Sequence, residues 1–224
     1  AVPGLVFKHQ ENVFNDFERD RLLFHMCSQE GPPLCIKDVN GDGLDDIFIG
    51  NGMAQSPAVF IQNKSGKFTK QSILSFEELQ KADDTDAQLF DADNDGDLDL
   101  YICSGGNEVP TSSSLLADRF YLNKKNEFIK SPQVLPTFNF ESTSCVRPYD
   151  FDGDGDIDLF VGVRMVPFNY GVPGNGYILQ NDGKGNFKNL QISELINTGL
   201  ITDAVWADLD GDHQLELIIV GEWM

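Results

Sequence analysis

Four nine-residue segments decide how this chain folds: DVNGDGLDD at 38–46, DADNDGDLD at 91–99, DFDGDGDID at 150–158 and DLDGDHQLE at 208–216. They start 53 to 59 residues apart. In each segment, acids or an amide substitute fall at positions 1, 3, 5 and 9, and no Lys or Arg is present. An internal repeat of this length predicts a fold assembled from copies of one supersecondary unit.

A second motif recurs in phase with the first: FIQNKSGKF at 60–68, FYLNKKNEF at 120–128 and YILQNDGKGNF at 177–187. Each copy has the pattern of a strand, a polar Asn/Gly turn and a second strand, which is typical of a hairpin. Each repeat therefore holds two hairpins, the first closed by the acidic segment. Four strands per repeat of 50 to 60 residues predict the blade of a β-propeller.

The repeats divide the chain into blades. We expect an N-terminal segment at 1–30 that leads into or completes a blade, followed by four repeats at about 31–83, 84–142, 143–200 and 201–224, the last truncated. Each acidic segment is followed by a short apolar run, as expected of an inner strand buried on both faces: 47–49, 100–102, 159–161 and 217–219. A glycine follows each run closely, where we expect the chain to bend away. Helical turns are predicted only at 14–26 and 76–81.

The charge of the chain is concentrated in the acidic segments. They hold 18 of the 36 acids, whereas the remaining 18 acids are nearly balanced by 16 bases. A net charge of −20 excludes nucleic acid and anionic membrane surfaces as expected partners, because both require a basic surface. No apolar run approaches the ~18 residues of a transmembrane helix. Acids packed this densely repel one another unless a cation neutralises them, and a divalent cation is the obvious candidate.

Calcium fits this pattern of oxygen donors. Ca²⁺ takes six to eight oxygen ligands at about 2.3–2.6 Å, and alternate positions of a tight loop converge on one point. Carboxylates or an amide at positions 1, 3, 5 and 9, with the backbone carbonyl at position 7, give one site per loop and up to four Ca²⁺ ions. The predicted ligands are Asp38, Asn40, Asp42, Leu44 and Asp46; Asp91, Asp93, Asp95, Asp97 and Asp99; Asp150, Asp152, Asp154, Asp156 and Asp158; and Asp208, Asp210, Asp212, Gln214 and Glu216.

Two other structures contain Asp/Gly-rich loops of this kind: the EF-hand and the ordinary solvated turn. An EF-hand needs a bidentate Glu at position 12, but that position is Ile49, Ile102, Val161 and Ile219 in the four copies. The EF-hand is therefore excluded, whereas ordinary solvated Asp/Gly turns remain an alternative. The fourth copy is the weakest, because His213 replaces the turn glycine. We expect it to bind less tightly or to use a strained backbone at His213.

The loops followed by IFIG at 47–50 or LFVG at 159–162 resemble FG-GAP (VCBS-type) repeats, which also form integrin α-subunit propellers. The stretches FKHQEN at 7–12, SGGNE at 104–108 and the segment from 206 to 224 are similar to large secreted bacterial FG-GAP proteins with an associated ASPIC/UnbV domain. The resemblance covers essentially the whole chain. It implies an all-β propeller of FG-GAP blades, seven in the complete protein and about four here, with calcium as scaffold.

The same resemblance implies a place outside the cell, at the bacterial outer surface, and a chain that is part of a longer polypeptide or assembly. We expect a structural or adhesion-type interaction module, with a carbohydrate-binding surface subunit as the alternative and a protein or glycan as partner. An enzyme is not expected, because no G-x-S-x-G turn is present and the clustered acids are assigned to metal. No integrin partner-binding residue has a counterpart here.

Two further features remain open from the sequence. Cys27 and Cys35 lie close enough along the chain for a disulfide, although buried free thiols are the expected state. The Gly/Pro/aromatic loop at 168–176 is a candidate contact for a partner, with Arg164, Phe168 and Tyr170 as contributors, or else packs over the next blade.

Overall fold

A computed structural model of the chain describes residues 2–53, 55–73, 75–76, 82–136 and 140–224. Fourteen strands lie within these residues. In chain order they are β1 (Leu34–Lys37), β2 (Asp46–Ile49), β3 (Ala58–Gln62), β4 (Phe68–Gln71), β5 (Asp83–Phe90), β6 (Asp99–Gly105), β7 (Arg119–Lys124), β8 (Glu127–Lys130), β9 (Ser142–Tyr149), β10 (Asp158–Met165), β11 (Gly176–Asn181), β12 (Phe187–Leu190), β13 (Leu200–Ala207) and β14 (Glu216–Glu222).

The strands form three antiparallel four-stranded sheets and one two-stranded sheet. Strand order follows chain order in each: β1–β4 form blade 1, β5–β8 blade 2 and β9–β12 blade 3, and β13 pairs with β14. This up-and-down arrangement, repeated along the chain, confirms the prediction of an all-β fold of FG-GAP-type blades.

Each four-stranded blade contains the two expected hairpins. In blade 1, Lys37 pairs with Asp46 across the first acidic loop. The second hairpin of that blade is closed by a turn in which the Asn63 N–H donates to the Lys67 carbonyl at 3.0 Å. The acidic loops consequently all close the first hairpin of their sheet.

The core lies between the sheets rather than within one of them. Tyr101 and Phe120 of blade 2 share a buried cluster with Val146 and Val161 of blade 3, and similar clusters join blade 1 to blade 2 and blade 3 to β13–β14. The apolar runs are buried as predicted in β6 and β10 and mostly so in β2. The run at 217–219 in β14 is only half-buried, which corrects the prediction, because its sheet has one packed face.

Gly50 directly follows the end of β2 and Gly105 is the last residue of β6, as expected of glycines where the strand ends, whereas Gly162 has a different role. Gly162 lies inside β10, which continues to Met165. A Cβ atom on Gly162 would lie 2.6 Å from Cγ2 of Ile201 and 2.8 Å from Sγ of Cys145. The missing side chain therefore lets β13 approach blade 3.

The N-terminal residues lie against blade 1 without forming a strand. The Phe68 N–H donates to the Pro3 carbonyl at 2.9 Å, and Leu5 and Phe7 pack on the cluster around Phe60. Of the helical turns predicted within 14–26, one is present as a 3-10 turn at Asp16–Glu18, and a second 3-10 turn lies just beyond that range at Cys27–Gln29. The helical turn predicted at 76–81 lies mostly outside the described residues.

All four cysteines are buried free thiols, which confirms the expected state of Cys27 and Cys35. Cys27 packs with Leu23 and Met165, whereas Cys35 belongs to the cluster between blades 1 and 2. Burial raises the pKa of both thiols to about 12. Both are thus protonated at neutral pH and act as small apolar side chains.

Candidate metal centres in the acidic loops

The backbone of each acidic loop is held by its own side chains in a repeated pattern. The position 1 carboxylate accepts the position 6 N–H in every loop, at 2.7 to 3.0 Å. The position 5 carboxylate accepts the position 7 N–H in every loop, at 2.7 to 3.0 Å. The four segments therefore share one conformation, which random solvated turns would not be expected to do.

The position 9 carboxylate ties the loop to the rest of its sheet. Asp99 is fully buried; its Oδ2 accepts the Ala92 N–H at 2.9 Å and its Oδ1 accepts the Asn123 N–H, at the end of β7, at 2.7 Å. Asp46 and Asp158 make the same two contacts in blades 1 and 3. Burial raises the pKa of Asp99 and of Asp158 to about 6. The sequence predicted these residues as ligands but not as anchors of the third strand.

The carboxylates at positions 1, 3 and 9 converge in the second, third and fourth loops. In each, one oxygen per residue lies within 4.8 Å of the others: Asp91, Asp93 and Asp99; Asp150, Asp152 and Asp158; and Asp208, Asp210 and Glu216. The first loop has an amide, Asn40, at position 3, so it contains no such set of three carboxylates. Oxygen ligands across a Ca²⁺ ion are separated by about 5 Å. The spacing suits that ion.

Unsatisfied oxygens in the second loop provide an independent indication of a missing cation. Oδ1 of Asp91 and Oδ1 of Asp93 are buried and accept no hydrogen bond. A buried carboxylate oxygen without a partner is costly, on the order of 1–3 kcal/mol or more. An all-oxygen, carboxylate-rich donor set fits calcium or another hard divalent cation. The residues present therefore fit the ion that the sequence pattern predicts.

The position 7 residues, predicted to offer backbone carbonyls, also have side-chain contacts in two loops. Asp156 Oδ1 accepts the Asn94 Nδ2–H at 2.8 Å, which links the second and third loops. Asp97 Oδ2 accepts the Lys125 N–H at 3.4 Å. Neighbouring loops thus contact each other along one end of the blades.

Sequence analysis did not identify Lys124 as part of the second loop. Its Nζ donates to Asp93 Oδ2 at 2.5 Å and to Asp95 Oδ2 at 2.7 Å. These hydrogen bonds lower the pKa of the Asp95 carboxyl. A neutral side chain contacts the third loop, where Gln180 Nε2 donates to Asp152 Oδ2 at 2.7 Å; the residue equivalent to Lys124 in that blade is Asp182. Lys124 and Gln180 both follow the apolar residues of the second motif. Only that position in the sequence could have suggested that they contact an acidic loop.

Replacing the lysine is predicted to strengthen calcium binding at the second loop. Two exposed ion pairs, each worth about 0.2–1 kcal/mol, compete with the ion there. Lys124→Met is expected to raise the calcium affinity of this loop about fivefold in a calorimetric titration. Lys125→Met is the control, since it removes the same charge from the adjacent residue. Equal effects of the two variants would contradict a specific role for Lys124.

The fourth loop has the strained backbone that its sequence predicted. His213 has φ +70° at position 6, where Gly43, Gly96 and Gly155 have φ of +85°, +89° and +95°. A left-handed conformation costs a residue with a Cβ roughly 1–2 kcal/mol. Its N–H still donates to Asp208 Oδ2 at 3.0 Å, so the loop keeps the shared conformation despite this cost.

Relieving that strain is predicted to stabilise the protein. His213→Gly is expected to raise the free energy of unfolding by about 1 kcal/mol, measured by urea denaturation. His213→Ala removes the same imidazole but keeps a Cβ, so it should give no such gain. Stabilisation by alanine as large as that by glycine would show that the imidazole, rather than the backbone, is responsible.

The loop at 168–176 does not supply the free cationic side chain that was considered for partner binding. Arg164 is buried, and its guanidinium pairs with Glu30 at 3.3 Å and with Glu222 at 2.8 Å. Tyr170 donates its hydroxyl to Glu222 at 2.9 Å. Of the three side chains named as candidate contacts, Phe168 alone is exposed, and Arg19 lies over its ring. Arg164 and Tyr170 therefore hold the loop in place, which favours the packing interpretation.

A model of the FG-GAP-like repeat family matches residues 38–102 and 150–219, which together make up more than half of the chain. The matched ranges begin at the first and third acidic loops and end after the second and fourth apolar runs. No curated protein matches the chain significantly. Among the described residues, none of the helices has the length and apolar character needed to cross a bilayer.

Proposed function

The chain belongs to the FG-GAP-like repeat family, and from that premise we propose that it is an extracellular, calcium-stabilised β-propeller module with a structural or adhesion-type role. One observation carries the proposal: four in-phase loops share a hydrogen-bond pattern and, in three, bring carboxylates to within 4.8 Å of one another. A cation bound in such a loop neutralises negative charge that the fold otherwise concentrates unfavourably.

Different positions of each loop supply different ligands to such an ion. Positions 1 and 3 supply carboxylates at the loop tip, except for Asn40 in the first loop. In blades 1 to 3, position 9 supplies a carboxylate that also holds two backbone N–H groups of its own blade, whereas Glu216 of the fourth loop holds the Leu209 N–H. A bound calcium ion supplies positive charge, and thereby free energy of folding, because the unfolded chain cannot assemble the donors. Binding thus stiffens the loop end of each blade and fixes its first hairpin to its third strand.

The proposed location follows from the affinity range expected for such loops. Calcium modules outside the cell work at about 10⁻⁴–10⁻³ M, where the ion is abundant. The strongly negative net charge supports a protein or glycan partner and not nucleic acid. We propose a non-enzymatic role because the clustered acids are engaged as loop anchors and ion ligands. Carbohydrate binding remains the alternative, although Arg164 no longer supports it.

Protection from proteolysis tests whether calcium stiffens the loops. A serine protease that cleaves after acidic residues is expected to cut at 91–99 and 150–158 at least tenfold more slowly in 1 mM calcium than in chelator. Magnesium should protect poorly, because it favours a smaller octahedral site. Equal cleavage rates in calcium and chelator would contradict the proposal. Retention on immobilised glycans in the same buffers would support the carbohydrate-binding alternative.

A further inference from the structure

Two motif stretches that the calcium loops leave unexplained meet at the other end of blade 2. The stretch 7–12 and the stretch 104–108 are far apart in sequence, yet Asn12 Nδ2 donates to Glu108 Oε1. Glu108 follows the end of β6, whereas the second acidic loop precedes its start. With about 3.3 Å per strand residue, the seven-residue strand separates the two places by roughly 20 Å. This cluster is therefore distinct from the acidic loops.

Asp83, the first residue of β5, lies at the centre of this cluster. Its side chain is 3% exposed and its Oδ2 has no hydrogen-bond partner. Burial raises the pKa of Asp83 to about 9, with further contributions from the charges of Glu108 and Glu11. No ion pair among the described residues includes Asp83 or Glu108. A buried, unpartnered carboxyl oxygen that faces another carboxyl group can take a cation in place of a proton.

Gly106 leaves the space that these oxygens face. It has φ +87°, and a Cβ placed on it would lie 2.2 Å from Glu108 Oε2 and 3.4 Å from Asp83 Oδ2. The two oxygens therefore face each other across a gap no wider than those two distances combined. Burial also raises the pKa of Glu108, although the Asn107 N–H donates to its Oε2 at 2.8 Å.

A third carboxylate approaches from the N-terminal segment. Glu11 Oε2 is buried without a hydrogen-bond partner, as is Nδ1 of His9. The other oxygen of Glu11 contacts His9 Nε2. Both side chains lie close to Gly52, whose Cβ would be 3.1 Å from Glu11 Oε2 and 3.1 Å from His9 Cε1. Three buried polar atoms of this cluster thus have no hydrogen-bond partner: Asp83 Oδ2, Glu11 Oε2 and His9 Nδ1.

The surrounding residues fix this arrangement and leave it negatively charged. Asn107 is fully buried; its Nδ2 donates to Asp16 at 2.9 Å and to Asp20 at 2.8 Å. The nearby guanidinium of Arg119 pairs with Asp84, the residue after Asp83. Nη1 of Arg119 has no hydrogen-bond partner, and the guanidinium charge lowers the pKa of Asp83 without offsetting the effect of burial.

We propose that Asp83, Glu108 and Glu11 form a further divalent-cation site, with His9 at its edge. The carboxylates are less tightly gathered than those of the acidic loops, so Asp83 and Glu108 act as direct ligands and Glu11 through a water molecule. Carboxylate donors beside an imidazole suit Mn²⁺, which accepts both ligand types. The site joins the N-terminal segment to the β5–β6 hairpin and does not depend on calcium in the acidic loops.

Two of the three histidines of the chain provide the test, because they report on separate places. Mn²⁺ added in substoichiometric steps broadens NMR signals of nearby protons. We expect the His9 ring signals to broaden through the proposed site and the His213 signals through the fourth loop. His25 is not a control, because its ring lies with Cys27 and Glu30 in a separate group that could hold a metal ion. No broadening of His9 up to saturation would overturn the proposal.

Single substitutions distinguish metal binding at this site from metal binding in the acidic loops. Asp83→Asn and Glu108→Gln are each expected to lower at least tenfold the apparent Mn²⁺ affinity measured from the broadening of His9. The broadening of His213 should stay unchanged. Asp210→Ala, which removes the position 3 ligand of the fourth loop, should weaken the broadening of His213 and leave that of His9 unchanged, so failure of the calcium loops would be seen separately. Glu194→Gln, an exposed site, is the control. If Asp83→Asn does not fold, the half-exposed Glu11→Gln serves with Glu108→Gln. Unchanged His9 broadening in folded variants would overturn the assignment.

Discussion

Transfer of the protein from millimolar calcium into excess chelator is expected to lower its unfolding midpoint by more than about 10 °C. Each site that binds only the folded chain contributes about 1.4 kcal/mol at a calcium concentration ten times its dissociation constant. Three such sites give several kcal/mol, and each kcal/mol corresponds to about 2–4 °C for a domain of this size. Removal of the ion also leaves unpartnered oxygens such as Asp91 Oδ1.

Magnesium is the control for this melt. It demands a smaller octahedral site and gives up its water reluctantly, so it should restore little of the lost stability. Superimposable melts in calcium and chelator, in a protein shown to be free of metal, would contradict structural calcium sites. The acidic loops would then be solvated turns whose conformation depends on their internal hydrogen bonds alone.

The second large effect is expected from the position 9 carboxylate of the third loop. Asp158 is 1% exposed; its Oδ2 accepts the Phe151 N–H at 3.2 Å and its Oδ1 accepts the Asn181 N–H at 2.7 Å. Asp158→Ala leaves both N–H groups without an acceptor, at about 1–3 kcal/mol each. We expect a loss of about 3 kcal/mol or more in free energy of unfolding, measured by urea denaturation in chelator.

Two further variants define the cause of that loss. Asp158→Asn keeps one oxygen acceptor and should lose about half as much as alanine. Asp45→Ala, at an exposed position of the first loop with no ion pair described, should change stability by less than about 0.5 kcal/mol. If Asp158→Ala were as stable as Asp45→Ala, the anchoring role of position 9 would be wrong.

Much of the fold could be predicted because its determinants are local. The acidic segments and the Asn/Gly turns each close a hairpin within about ten residues, so chain order alone gives the meander of each blade. The backbone strain at His213 was also predictable, since one residue replaces the glycine of the other copies. Its φ of +70° confirms that reasoning.

Contacts between distant segments could not be predicted in the same way. The Asn123 N–H reaches Asp99 only because β6 and β7 pair in one register. Lys124 reaches the second loop for the same reason. The cluster around Asp83 depends on the path of the N-terminal segment, and that path has no periodic signal. Arg164 looked like a surface cation because sequence alone does not reveal that Glu30 and Glu222 are its partners.

The central claim is that the acidic loops are calcium sites, and counting bound ions tests it most directly. Equilibrium dialysis against 1 mM calcium, followed by elemental analysis, would compare the protein with a variant carrying Asp93→Ala, Asp152→Ala and Asp210→Ala, which removes the side-chain oxygen that Asn40 keeps in the first loop. We predict that the variant binds about three fewer calcium ions per chain, since each change affects one of the three gathered carboxylate sets. Equal calcium content in the folded variant and the parent protein would contradict the claim.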